Sequence, residues 1–151
     1  MAQVLAICGS LRKGSFNRML MNASMGLGPE GMTFKEAPSY AKLPIYNFDD
    51  QQATGFPKDA DALHEAVKAA DGVLIVSAEY NWSLPGGLKN AFDLLGEAQM
   101  GGKPFALIGV AVGDAEPGVT DAARTLRHLG GIAAVPDVVI SRSRDHWGDS
   151  D

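Results

Sequence analysis

Two apolar runs, Val4 to Cys8 and Val73 to Val76, constrain this chain most, because each runs directly into a polar turn and then a helical pattern. A strand that is apolar at every position is buried on both faces, as in parallel sheets covered by helices on either side. The first run opens into Gly9-Ser10-Leu11-Arg12-Lys13-Gly14-Ser15-Phe16-Asn17. A turn of this kind leaves backbone N–H groups unpaired at the helix start, where the helix dipole favours negative charge. The Arg12 guanidinium adds a bidentate donor, so the segment has the chemistry of a phosphate cradle.

The spacing of Gly9 and Gly14 matches a nucleotide P-loop, but Ser15-Phe16 stands where a Lys and a hydroxyl residue should follow. Nucleoside triphosphate chemistry is therefore not expected. A dinucleotide fingerprint fails too, because Gly9-Ser10-Leu11 lacks the second glycine that lets a pyrophosphate approach the backbone. Two readings remain: a monophosphate held by hydroxyls, amides and one guanidinium, or an ordinary turn capped by Ser15.

The second run leads into Ser77-Ala78-Glu79-Tyr80-Asn81-Trp82-Ser83-Leu84-Pro85, and Pro85 marks the start of another helix. Open parallel sheets bind ligands beyond the carboxyl ends of their strands where the strand order reverses, so the two turns should flank one crevice. There Tyr80 and Trp82 offer aromatic faces while Glu79 and Asn81 offer polar edges. Aromatic residues after a strand also serve as interface contacts, an equal alternative for Tyr80 and the favoured one for Trp82.

Along the chain, strands and helices alternate. Helices are expected at Phe16 to Leu27, Lys58 to Ala70, Gly86 to Leu95 and Thr120 to Leu129. Further strands are expected at Thr33 to Ala37, Phe105 to Val110 and Val138 to Ser141, with an irregular aromatic stretch from Pro38 to Pro57. The pattern predicts a flavodoxin-like, doubly wound α/β domain spanning 1–151, with a five-stranded parallel sheet in the order 2-1-3-4-5.

A net charge of −5 argues against a nucleic-acid or anionic-membrane surface. No window of 18 or more apolar residues appears, and no basic leader precedes an apolar stretch, so a cytoplasmic protein is expected. The single cysteine, Cys8, falls in the first apolar run and reads as a buried small hydrophobe. His64, His128 and His146 show no metal spacing, and surface or helix-end roles are expected for them.

The cradle from Gly9 to Arg18, Ala70-Asp71-Gly72, Glu79-Tyr80-Asn81, Leu84-Pro85-Gly86 and Leu88-Lys89-Asn90-Ala91 together resemble the NAD(P)H-dependent FMN reductases, a family that includes flavodoxin-like quinone, chromate and azo-dye reductases. The likeness runs from Gln3 to about Ser141. It implies that Ser10, Arg12, Ser15 and Asn17 hold the FMN phosphate with Phe16 packing at the turn, while Ala78, Glu79, Tyr80 and Asn81 line the isoalloxazine. The family usually carries Pro at the position of Ala78 and a hydroxyl at that of Ala111. It also continues into a last helix where Arg142 to Asp151 here is polar, so the α/β/α sandwich is expected to lack that helix and leave part of one sheet face bare. A bare face favours assembly into a homodimer or homotetramer.

The implied activity is two-electron, ping-pong reduction of a quinone or similar small acceptor, with NAD(P)H as co-substrate and bound FMN supplying the redox chemistry. No side chain is assigned a catalytic role. The alternatives are a flavodoxin-like electron carrier, which the acidic balance suits, and a flavin-binding interaction module without nicotinamide turnover.

Overall fold

The computed structural model describes residues 1–142. Its sheet is parallel throughout and has the order β2-β1-β3-β4-β5, with β1 at Ala2–Cys8, β2 at Met32–Glu36, β3 at Gly72–Ser77, β4 at Pro104–Val110 and β5 at Ile132–Ala133. A sixth strand, β6 (Val138–Ile140), also pairs with β4. The expected fifth strand, Val138 to Ser141, is present as β6, and the unexpected β5 adds a second short piece, so this edge of β4 is paired in two halves. Ile132 and Ala133 pair with the start of β4, and Val138 to Ile140 pair with its end. The cause is Pro136-Asp137 between the halves, since proline cannot donate to a ladder and is confined to sheet edges.

Side chains alternate across the sheet with the strand period of two. Leu5, Ile7, Val73, Ile75, Phe105 and Leu107 point into a core shared with helices α3 (Asp61–Ala69), α4 (Gly86–Asp93) and α6 (Glu116–His128). Ala6, Cys8, Leu74, Val76 and Val110 face the opposite way, against α1 (Phe16–Gly26). Each large side chain so buried contributes about 1.5–3 kcal/mol of transfer free energy.

The two faces are covered unequally. Among the described residues, α1 is the one helix on its side, and it shields the carboxyl-terminal half of the strands. The other half is an open apolar groove of about 320 Å³, lined by Val4, Phe34, Leu74, Ala106 and Val135 and by the strand starts Ala2, Met32 and Pro104. Among the described residues, nothing covers this groove on the sheet face where a bare patch was expected.

Two short helices depart from expectation. Phe48–Thr54 forms α2 inside the stretch expected to be irregular, and Glu97–Met100 forms α5. The Asn47 side chain caps α2 by accepting from Asp49 N–H, Asp49 and Asp50 suit its first turn, and Gly55 ends it at φ 81°. Helix α6 starts four residues before the expected Thr120, through Glu116 and Pro117. Lys58–Ala60 is a 3-10 turn leading into α3. The expected surface role of His64 is overturned: it is 7% exposed, its Nε2 meets the Leu94 carbonyl, and its ring stands edge-on to Phe56. His146 lies outside the described residues. Among those described, no helix is long and apolar enough to cross a membrane.

Candidate functional site

The strand order reverses between β1 and β3, and the turns leaving β1, β3 and β4 converge there. Their cleft of about 230 Å³ is lined by Ser10, Arg12, Ser15, Phe16, Asn17, Ala78, Glu79 and Tyr80, and by Val110 to Gly113 from the third turn. Eight of the nine sequence-selected residues line it. Asn81 does not; it sits at the exposed tip of the second turn. The residues that sequence reasoning passed over as lining are Val110, Val112 and Gly113, beside Ala111, which the resemblance singles out. Their signal was their place at or just beyond the carboxyl end of an apolar strand.

The first turn begins with close backbone approach. Gly9 donates its N–H to the Val76 carbonyl at 2.7 Å, and a Cβ at Gly9 would fall 2.8 Å from Ser77 Cα. Ser10 and Ser15 are each 2% exposed. Ser10 Oγ accepts the Arg12 N–H at 3.4 Å, and Ser15 Oγ caps α1 by accepting the Asn17 N–H at 3.1 Å. The Arg12 guanidinium folds back over Gly14, whose absent Cβ would lie 3.2 Å from Nη1. No acidic side chain among the described residues engages it.

Asn17 carries the sharpest polar signal. Its Nδ2 donates to the Val110 carbonyl at 3.4 Å, while its Oδ1 is buried without a partner. An orphaned acceptor of this kind costs about 1–3 kcal/mol unless something donates to it, and a ligand hydroxyl in the cleft would. Buried hydroxyls, a helix N-terminus, an unengaged guanidinium and this acceptor together match a phosphate joined to a polyhydroxy chain. The residues present fit FMN on that ground.

The second turn is a tight hairpin in which Tyr80 and Ser83 exchange backbone hydrogen bonds of 2.9 and 3.2 Å. Asn81 and Trp82 between them adopt φ values of 52° and 64°, left-handed conformations that cost energy for residues other than glycine. The Glu79 carboxylate accepts the Trp82 N–H and holds the strained turn closed. Trp82 projects outward at 73% exposure, and Tyr80 leans back so that its hydroxyl lies 3.3 Å from Ser10 Oγ. Tyr80 thereby divides the cleft from a neighbouring compartment of about 230 Å³ lined by Leu11, Tyr40, Pro85, Gly86 and Gly87.

Beneath the cradle, Tyr40 donates its hydroxyl to the Cys8 carbonyl at 2.6 Å. Burial pushes the Tyr40 phenol well above its ordinary range and raises the Cys8 thiol as well, so Cys8 is no activated nucleophile. The third turn is tied down from β6. Ser141 Oγ accepts from Ala115 N–H and donates to Asp114 Oδ1, each at 3.0 Å, and Asp114 Oδ1 also accepts from Glu116 N–H at 3.0 Å. Among the described residues, no group of three or more His, Cys, Asp or Glu could hold a metal ion.

Comparison with known proteins agrees with this geometry. The sequence profile of the NADPH-dependent FMN reductases matches residues 2–145. A quinone reductase of Escherichia coli is 40% identical over 146 residues, covering 97% of this chain and 77% of the relative. Among solved structures, the flavoenzyme NAD(P)H:(acceptor) oxidoreductase FerB from Paracoccus denitrificans superposes with a TM-score of 0.79 at 32% identity, covering 91% of this chain and 78% of the other. A flavodoxin from Pseudomonas aeruginosa gives 0.59 at 18% identity over 96% of this chain and 93% of its own, a likeness of fold alone. With its profile matched over nearly the whole chain and its polar cleft where a flavodoxin-like sheet places one, the protein belongs to the NADPH-dependent FMN reductase family, oxidoreductases that pair FMN with a nicotinamide donor.

Proposed function

We propose that the chain binds FMN in the cleft and reduces quinones or similar small acceptors with NAD(P)H, in a two-electron, ping-pong cycle. The observation that carries the reading is the buried, unpartnered Asn17 Oδ1 beside Ser10, Ser15 and Arg12. In this reading Ser10, Ser15 and the α1 amides take the phosphate oxygens, Arg12 closes over them, and Asn17 accepts a ribityl hydroxyl. Ala78, Glu79 and Tyr80 would border the ring with backbone amides and one aromatic face, and Asn81 would shape the turn from outside. When bound, FMN supplies the hydride chemistry.

In this reading the nicotinamide donor and the acceptor would use the exposed side of the bound flavin in turn. The E. coli relative is named a quinone reductase, which supports the acceptor class. The exposed side chains of Leu11, Tyr80, Trp82 and Val112 around the cleft fit a second copy, and we infer a homodimer or homotetramer in the cytoplasm. Anaerobic titration tests the reading. The purified protein should take up one FMN, and NAD(P)H should bleach it fast enough to support turnover with a quinone. Uptake of FMN with negligible bleaching would favour the electron carrier, and a colourless protein indifferent to FMN would defeat both flavin readings.

A further inference from the structure

Helix α6 grips the strained hairpin from behind at two points. At one end, Ser83 Oγ donates to Asp121 Oδ2 at 2.7 Å. At the other, α6 passes so close to the hairpin's entry that a Cβ on Gly118 would lie 3.0 Å from the Ala78 carbonyl oxygen and 3.1 Å from Glu79 Cα. Asp121 is itself braced, since Arg124 pairs with its second carboxylate oxygen and Thr125 Oγ1 donates to its backbone carbonyl. Between the two grips lie Asn81 and Trp82, whose left-handed backbone does not persist unless its surroundings impose it.

We propose that Asp121 and Gly118 are positioning residues for the cofactor cleft: through Ser83 and the Ala78–Glu79 peptide they set the hairpin, and through the hairpin they set Tyr80 as the partition between the two compartments. This rests on the reading of the cleft as the FMN site. Neither residue lines the cleft, and each acts through a neighbour. Among the described residues, Tyr80 is hydrogen-bonded forward through its hydroxyl to Ser10 and through its backbone to Ser83, in a turn that Glu79 also helps to close. Each compartment alone is smaller than the roughly 300–1,000 Å³ of an ordinary small-molecule site, so the orientation of Tyr80 decides how much of their joint space a flavin ring can use.

The test compares Ser83→Ala, Asp121→Ala, the double variant and Asp121→Asn, which keeps an acceptor oxygen. Amide exchange in the flavin-free protein should speed up at Tyr80 and Ser83 by about tenfold in both alanine variants, the loss of one charge-assisted hydrogen bond, with α3 and β3 amides unchanged. FMN affinity should fall by a similar factor, the double variant should be no worse than either single one, and Asp121→Asn should restore most of both signals. Quenching of bound-flavin fluorescence should weaken in the alanine variants as Tyr80 leaves its place. Unchanged exchange at Tyr80 and Ser83, or strictly additive losses in the double variant, would overturn the proposal. A wild-type protein that binds no FMN would instead overturn the functional reading, and the exchange data would still decide what Asp121 does to the hairpin.

Discussion

At the scale of single residues, two groups carry measurable consequences. Arg12→Ala should weaken FMN binding by about ten- to a hundredfold, the worth of a charge-assisted contact, in a fluorescence titration. The fold should be untouched, because no side chain among the described residues depends on that guanidinium. Tyr40 lies beneath the cradle, and its effect is on stability. Burial raises its phenol in the native state above the value of about 10 that it has in the unfolded chain. Above that pH the unfolded chain has lost the proton and the native one has not, so stability is fully present below pH about 10 and falls as pH rises toward the native value. Tyr40→Phe removes this dependence, and urea midpoints from pH 9 to 11 should fall less steeply than in the wild type. Cys8, raised by the same burial, keeps its own share of the slope. The variant also strands the Cys8 carbonyl, so at pH 7 it should be less stable by about 1–3 kcal/mol.

At the scale of elements, the contact between β1 and β3 is the tightest joint in the site. Gly9→Ala would press a Cβ to within 2.8 Å of Ser77 Cα, a backbone atom that cannot turn aside. The expected loss is about 1–3 kcal/mol, or a few degrees in melting temperature for a domain of this size, together with lost FMN binding because the cradle shifts. The sequence marked Gly9 as the start of a glycine-rich turn, but the close approach of β3 to it is a tertiary contact that no local pattern announces. Helix α2 was also hard to read. Phe48–Thr54 buries none of its residues, so there was no apolar stripe to announce it, and only Asn47, Asp49, Asp50 and Gly55 marked its ends. The two-piece edge was half visible, with Val138 to Ser141 anticipated and the two-residue β5 too short to show a period. His64 was misplaced because one histidine on an amphipathic helix looks alike whether its face meets solvent or Phe56. In the site, the first two turns were readable from glycine, hydroxyl and aromatic residues. In the third turn the residues that line the cleft, Val110 to Gly113, carry no polar side chain, and the grip of Asp121 on Ser83 spans 38 positions that no local pattern connects.

At the scale of the whole molecule, the two ends of the sheet do different things. The cleft gathers at the carboxyl ends of the strands, where three turns meet. The apolar groove lies at their amino ends, against Ala2, Met32, Gly72 and Pro104, the first residues of β1 to β4. Both faces of a parallel sheet are ordinarily covered, so this groove is surface that water wets at a cost. Val135 lines it at 53% exposure, and the neighbouring edge strand adds Ile132, Val138 and Val139 at 41–58%. The native protein should therefore brighten an anilinonaphthalene dye and show a size that grows with concentration. Val135→Glu should diminish both, since the carboxylate must stay in water and carries its charge into the apolar patch. Because the groove and the cleft share none of their lining residues, the same substitution should leave FMN affinity unchanged. A matching fall in FMN affinity would instead mean that the groove and the ligand turns move as one cooperative unit, with the sheet transmitting strain along its strands.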